Sequence, residues 1–191
     1  DRLQFPAMGK GASSLLCRAA TLAETTEWLA LRRVRELPGA REAGQDAVPD
    51  AITFESLLAH IVTASPAVLR RIKDLPRARR WVSGFSLTAQ APRSVPLEYV
   101  HALSGTNGLA SGNTREEAIL QGLLEVFERR VAITVVRQQL VMPTFDPATI
   151  ADPTLQRQLA GLRARGIEVV LKDLSFGGEL PCVGAYFQDP Q

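Results

Sequence analysis

Residues 104 to 130 read SGTNGLASGNTREEAILQGLLEVFERR, and this stretch constrains the chain more than any other. Gly, Asn, Ser and Thr crowd its first half, where the backbone needs tight turns. A long helical pattern follows without a break. Asn113 or Thr114 is placed to cap it, and Thr114 with Glu117 three residues on fits a capping box. Taking Gln121 as zero, Glu125 falls at about 40° around the helix and Glu128 at about −20°. The three residues share one narrow stripe. Ile119, Leu120, Leu123, Val126, Phe127 and Val131 take the other side and one flank. Glu125 and Glu128 stand about 4.5 Å apart along the axis. Carboxylates that close repel unless a cation sits between them. Magnesium suits such a pair, because it takes hard oxygen ligands and bridges to phosphates. An ordinary solvated helix face shows the same pattern, and Arg129 is spaced to pair with Glu125.

A second acidic pair, Glu24 and Glu27, has the same i, i+3 spacing. It lies on a helical pattern running from about Ser14 to Arg35, with Pro38-Gly39 beyond its end. That helix follows GKG at residues 9 to 11. Two acid pairs, each after a small-residue segment, form two magnesium clamps on a nucleotide if the helices face each other. Neither the spacing G-x-x-x-x-G-K-[ST] nor G-x-G-x-x-G occurs, so a nucleotide site here is of another kind.

The rest of the chain sets the frame. Its 191 residues suffice for one domain of ordinary size. With 46% apolar and 22% charged residues the composition is that of a soluble globular protein. A net charge of +2 gives no electrostatic case for nucleic acid or an anionic membrane. No apolar run approaches the roughly 20 residues of a membrane helix. No signal-peptide pattern opens the chain. Cys17 and Cys182 are the only cysteines, which makes neither a disulfide framework nor a zinc site and points to a reduced, cytoplasmic setting. His60 and His101 have no partners at metal-ligand spacing.

Residues 39 to 50 read as an exposed loop. Residues 53 to 64 read as a short helix, and Ser65-Pro66 starts another. The basic run at residues 76 to 80, with Arg77, Arg79 and Arg80, is either a solvated turn or a contact for an anion or a leader peptide. Residues 91 to 98 read as extended, and Tyr99, Val100 and His101 as a short strand. Residues 143 to 153 read as loop and 155 to 165 as an amphipathic helix ended by Gly166. Strands follow at 167–175 and 182–187 around a Phe176-Gly177-Gly178 turn. The order of elements indicates mixed α and β with an antiparallel pair.

The segment 104 to 130 closely resembles the signature region of the YcaO family, where S-x-G-x-A-x-G-N-T leads into a helix bearing Q-x-x-x-E-x-x-E-R. Here those helix residues are Gln121, Glu125, Glu128 and Arg129. GKGASSLLCRAATLAETTEW resembles the family's GKG and following acidic helix, with Glu24 and Glu27 as its two acids. The resemblance continues more loosely through RRIKDLPRARRWVSGFSL and IEVVLKDLSFGGELPCVGAYF.

This resemblance implies an α+β fold with mixed sheets, flanking helices and a nucleotide site between helices. It implies ATP and Mg2+ as cofactors, with Glu24, Glu27, Glu125 and Glu128 holding the metal. Gln121 is expected at the nucleotide or metal. Ala20 stands where the family has a nucleotide-contacting Ser, with Thr21 beside it, and Trp28 stands where an Arg is usual. Arg137, nine residues past Glu128, is the expected phosphate-binding residue. It falls about 160° around an ideal helix from Gln121, so the role requires a bend. No catalytic residue is assigned. The implied activity is ATP-dependent phosphorylation of a peptide or protein backbone amide, leading to an azoline, a thioamide or an amidine. The implied partners are the peptide substrate, a TfuA-like or E1-like protein, and a second copy in a homodimer. The alternative is a non-catalytic ATP-binding scaffold or regulatory partner. Residues 1 to 191 are expected to be part of a YcaO domain that lacks its C-terminal half.

Overall fold

The computed structural model describes residues 7–33, 41–44, 48–53, 56, 70, 78–100 and 106–189. The chain forms two compact units, residues 1–122 and 123–191. Both mix helices with a small antiparallel sheet, so the fold is α+β as the sequence indicates.

In the first unit, helix α1 spans Ser14–Arg33. Strands β1 (Arg41–Glu42), β2 (Arg80–Ser86) and β3 (Ala91–Pro96) form an antiparallel sheet in the order β1-β2-β3. Trp81 sets its core. Its ring is buried with Ala78 and Tyr99, and Ala43, Val48 and Ala51 pack around them. A buried indole N–H needs an acceptor, and the Ala43 carbonyl accepts from Trp81 Nε1 at 3.1 Å. The pairing of Arg41 with Trp81 fixes the same register. Residues 49 to 52 strap the free edge of β3. Ser94 N–H donates to the Asp50 carbonyl at 3.1 Å, and Ile52 N–H donates to the Ser94 carbonyl at 2.9 Å.

The chain then turns helical at α2 (Leu97–Tyr99). This corrects the strand expected at Tyr99 to His101, of which His101 lies outside the described residues. Leu97 is fully buried and Tyr99 joins the Trp81 cluster. The turn also brings the Glu98 carboxylate back to the Arg79 and Arg80 N–H groups and to Arg80 Nε, each at 3.4 Å. Arg80 is therefore an internal partner of Glu98 and not part of a free basic patch. Arg77 lies outside the described residues, as do most of the two helices expected between 53 and 75. The loop expected at 39 to 50 contains the short strand β1, and of the segment expected to be extended at 91 to 98, residues 91 to 96 form β3 while Leu97 and Glu98 are helical.

Helix α3 (Arg115–Gln138) begins in the first unit and ends in the second. In the second unit, β4 (Thr144–Phe145), β5 (Glu168–Asp173) and β6 (Val183–Gln188) form an antiparallel sheet in the order β4-β5-β6. Helix α4 (Pro153–Arg163) packs on β5. Val131, Val169, Leu171 and Leu174 are the buried apolar residues of this unit. Residues 143 to 153, expected as loop, contain β4 and a 3-10 turn at Pro147–Thr149. Asp146 and Asp152 drive this local order. Each accepts backbone N–H bonds in front of a proline that starts a helical turn. Gly166 closes α4 at φ +80.

Two outcomes test these elements. Burial would raise the Glu98 carboxyl, but N–H bonds from its own backbone, Arg79 and Arg80 hold it below its ordinary value of 4.5. The folded-state value is the lower one. The contribution to stability is therefore complete above about pH 4.5 and disappears as pH falls through the folded-state value. Urea unfolding of Glu98→Gln should show a weaker loss of stability on acidification than the parent. At Gly166 an added Cβ meets nothing within 4 Å, so only backbone strain opposes it. Gly166→Ala should lower stability by about 1–2 kcal/mol, and Gly166→Asn by less, in the same measurement.

Candidate functional site

Two small-residue loops sit against helices in the first unit. At the first, Gly9 lies so close to α1 that a Cβ would stand 2.0 Å from the Cys17 carbonyl oxygen and 2.3 Å from Thr21 N. Only glycine fits there. Thr21 Oγ1 accepts from Gly9 N–H at 3.0 Å and donates to the Cys17 carbonyl at 2.8 Å. Glu24, one turn further on, accepts from Met8 N–H at 2.7 Å through Oε2.

The second loop runs from Thr106 to Asn113 into α3. A Cβ on Gly122 would meet the Gly108 carbonyl oxygen at 2.8 Å, so the loop lies directly on the helix. Thr114 Oγ1 accepts from Glu117 N–H at 3.2 Å, and Glu117 Oε2 accepts from Asn113 N–H at 2.7 Å. This is the expected capping box, with its return bond moved one residue toward the N-terminus. Glu27 Oε1 ties this loop to α1. It accepts from both the Ser111 N–H and the Ser111 hydroxyl, each at 2.7 Å.

The acids of α1 therefore hold one loop each. Among the described residues, Glu24 Oε1 and Glu27 Oε2 carry no bond. Ala20 is half-buried on the same helix and offers only a methyl. Thr21 does not replace the missing serine hydroxyl, because its Oγ1 is committed to Gly9 and Cys17.

On α3, Gln121 and Glu128 are exposed and Glu125 is half-buried. Arg129 reaches Glu125 at 3.5 Å, the pairing its spacing suggests. The helix runs unbroken from Arg115 to Gln138, and regular geometry keeps Arg137 about 160° from Gln121. Cys182, in the second unit, feels its surroundings. Burial first, and then the negative charge of Glu128, push its thiol above the ordinary value of 9.0. Both cysteines are free. Among the described residues no three His, Cys, Asp or Glu side chains converge on a metal position. No helix among them is long and apolar enough to cross a membrane.

Sequence reasoning missed Ser111 and the part of Thr21. Neither lies in a charged pattern, and the partner of Ser111 is 84 positions away. The only local signal was the small-residue composition of the loop.

Comparison with known proteins decides the family. The family model described as YcaO cyclodehydratase, ATP- and Mg2+-binding, matches residues 8–191. The chain belongs to the YcaO family. Among curated relatives, it is 28% identical over 151 residues to the ribosomal protein S12 methylthiotransferase accessory factor YcaO of Escherichia coli (strain K12), covering 76% of this chain and 26% of that protein. It is 30% identical over 193 residues to an uncharacterized protein of Methanothermobacter thermautotrophicus, covering 95% of this chain and 47% of that one. Among solved structures, a heterocyclase in complex with substrate and cofactor superposes with a TM-score of 0.71 at 22% identity, over 87% of this chain and 26% of that chain. YcaO from Methanopyrus kandleri bound with AMPPCP and Mg2+ gives a TM-score of 0.56 at 27% identity, over 86% and 40%. The chain thus spans from about a quarter to about half the length of these relatives.

Membership brings ATP and Mg2+ as the cofactors of the YcaO fold. The residues present fit them. Magnesium is typically held by one or two carboxylates with phosphate oxygens completing its shell, so no cluster of three acids is required. Among the described residues, Glu24 and Glu27 each have one carboxylate oxygen without a bond, which fits that requirement. The Cys182 thiol provides a local reporter for the α3 acids. Glu128→Gln removes a negative charge and should move the pH profile of Cys182 alkylation to lower pH, so that the reaction is faster at pH 8. An unchanged profile would mean that the Glu128 charge does not reach the thiol.

Proposed function

We propose that the protein carrying this chain uses ATP and Mg2+ to activate a backbone amide of a peptide or protein. The observation that carries this reading is the pair of acidic motifs on α1 and α3 in a chain of the YcaO family. Glu24, Glu27, Glu125 and Glu128 hold magnesium. Gln121 assists the nucleotide, and the stretch of α1 around Ala20 borders it. Arg137 is the least supported member of this set, because its helix shows no bend. Magnesium supplies charge compensation for the phosphoryl group in transfer.

The reaction balances simply. The amide oxygen bonds to the γ-phosphorus, and the bond to ADP breaks. A nucleophile then adds to the amide carbon, and the oxygen leaves as phosphate. A neighbouring Cys, Ser or Thr side chain yields an azoline, with one water lost overall. An external sulfide yields a thioamide. The substrate is a peptide or protein, as befits a fold shared with a heterocyclase solved with its substrate. A TfuA-like or E1-like partner presents the substrate or sulfur, the working unit is a homodimer, and the reaction belongs in the cytoplasm, where ATP is available.

One observation favours a second reading, a non-catalytic accessory protein. The Escherichia coli relative is named an accessory factor of a methylthiotransferase. Calorimetry on the full-length protein separates the possibilities. Mg2+-dependent ATP binding is expected, weakened by more than about tenfold in Glu125→Ala/Glu128→Ala, since loss of a direct ligand should exceed the loss of an outer-shell partner. Unchanged binding in that variant would remove the metal role of α3. ATP hydrolysis stimulated by a candidate peptide, with a matching mass change in the peptide, supports the enzyme. Binding without hydrolysis supports the accessory protein.

A further inference from the structure

We propose that Ser111 is a positioning residue for magnesium. It fixes the Glu27 carboxylate by one oxygen and leaves the other for the cation. This rests on the Mg2+–ATP reading above and assigns a role to a residue outside the acid motifs.

The geometry is specific. Both donors of a single residue, the N–H and the hydroxyl of Ser111, converge on Glu27 Oε1 at 2.7 Å. These are short charge-assisted bonds, and two on one oxygen leave that oxygen little capacity for a metal. Among the described residues, Oε2 has no partner. A glutamate side chain otherwise samples many rotamers, and ordering it opposes binding. Here the order is supplied before any ligand arrives.

The loop is the fixed side of this contact. Leu109 N–H donates to the Thr106 carbonyl at 3.0 Å on one side of Ser111. On the other side, Asn113 N–H donates to Glu117. Gly108 rests on Gly122, where no side chain would fit. A residue anchored on both sides is suited to orient a mobile carboxylate. Partners that orient metal ligands contribute about 10–100-fold to metal affinity. Alanine at 111 keeps the N–H and loses only the hydroxyl, so the lower end of that range applies. Threonine keeps both donors.

The test uses the full-length protein and a non-hydrolysable ATP analogue, titrated with Mg2+ and again with EDTA. Ser111→Ala should weaken binding about tenfold in Mg2+ and leave metal-free binding unchanged. Ser111→Thr should restore it. Thermal unfolding is followed alongside. Glu27→Gln provides a second arm that preserves an acceptor for Ser111 while removing the charge. It should lose Mg2+-dependent binding even though the loop tie remains. Three results would overturn the inference: parent-like binding by Ser111→Ala in Mg2+, equal losses with and without Mg2+, or parent-like Mg2+ binding by Glu27→Gln. Failure of the parent protein itself to bind the analogue in Mg2+ would overturn the underlying reading as well.

Discussion

The contact between Glu27 and Ser111 joins helix α1 to the loop that leads into α3, 84 positions further along the chain. Helix α1 has no buried residue, so it lacks the packed apolar face from which most protein helices draw their stability. Short polar bonds help hold it in place. Met8 bonds to Glu24, Gly9 to Thr21, and Ser111 to Glu27. The last of these ties the loop that starts α3 to α1. The carboxylates of Glu24 and Glu27 thus serve as structural acceptors.

Much of this was legible in the sequence because its signals are local. The capping box at Thr114 and Glu117, the stop at Gly166 and the β5–β6 hairpin each rest on neighbours within a few residues. The pairing of Arg129 with Glu125 follows from helix periodicity alone. The misses are of the opposite kind. Strands β1 and β4 have two residues each and exist only because a longer strand lies beside them. No periodicity can show in two residues. Tyr99 carries a strong strand preference, but burial of Leu97 and the three bonds to Glu98 favour a helical turn. The site divides along the same line. The spacing of the acid motifs was visible in the sequence and their proposed role came from the family resemblance, whereas the contact of Ser111 with Glu27 became visible only in the fold.

The surface of α3 adds a second contrast. Leu120, Val126 and Phe127, from the apolar side read in the sequence, are exposed, as is Ile133, while Val131 is fully buried. Val136 is 74% exposed. Their spread around the helix means that no single packed neighbour accounts for them. The chain spans only part of its relatives' length.

The bonds at Met8 and Ser111 also bear on which cation suits α1. A carboxylate with one oxygen already occupied can offer a metal only the other. Calcium fills its six to eight positions with carboxylates bound through one or both oxygens, with carbonyls and with waters. Magnesium asks for six ligands in tight octahedral order and accepts single oxygens readily. In the magnesium site proposed above, two backbone amides and a hydroxyl would leave Glu24 and Glu27 one oxygen each for the ion.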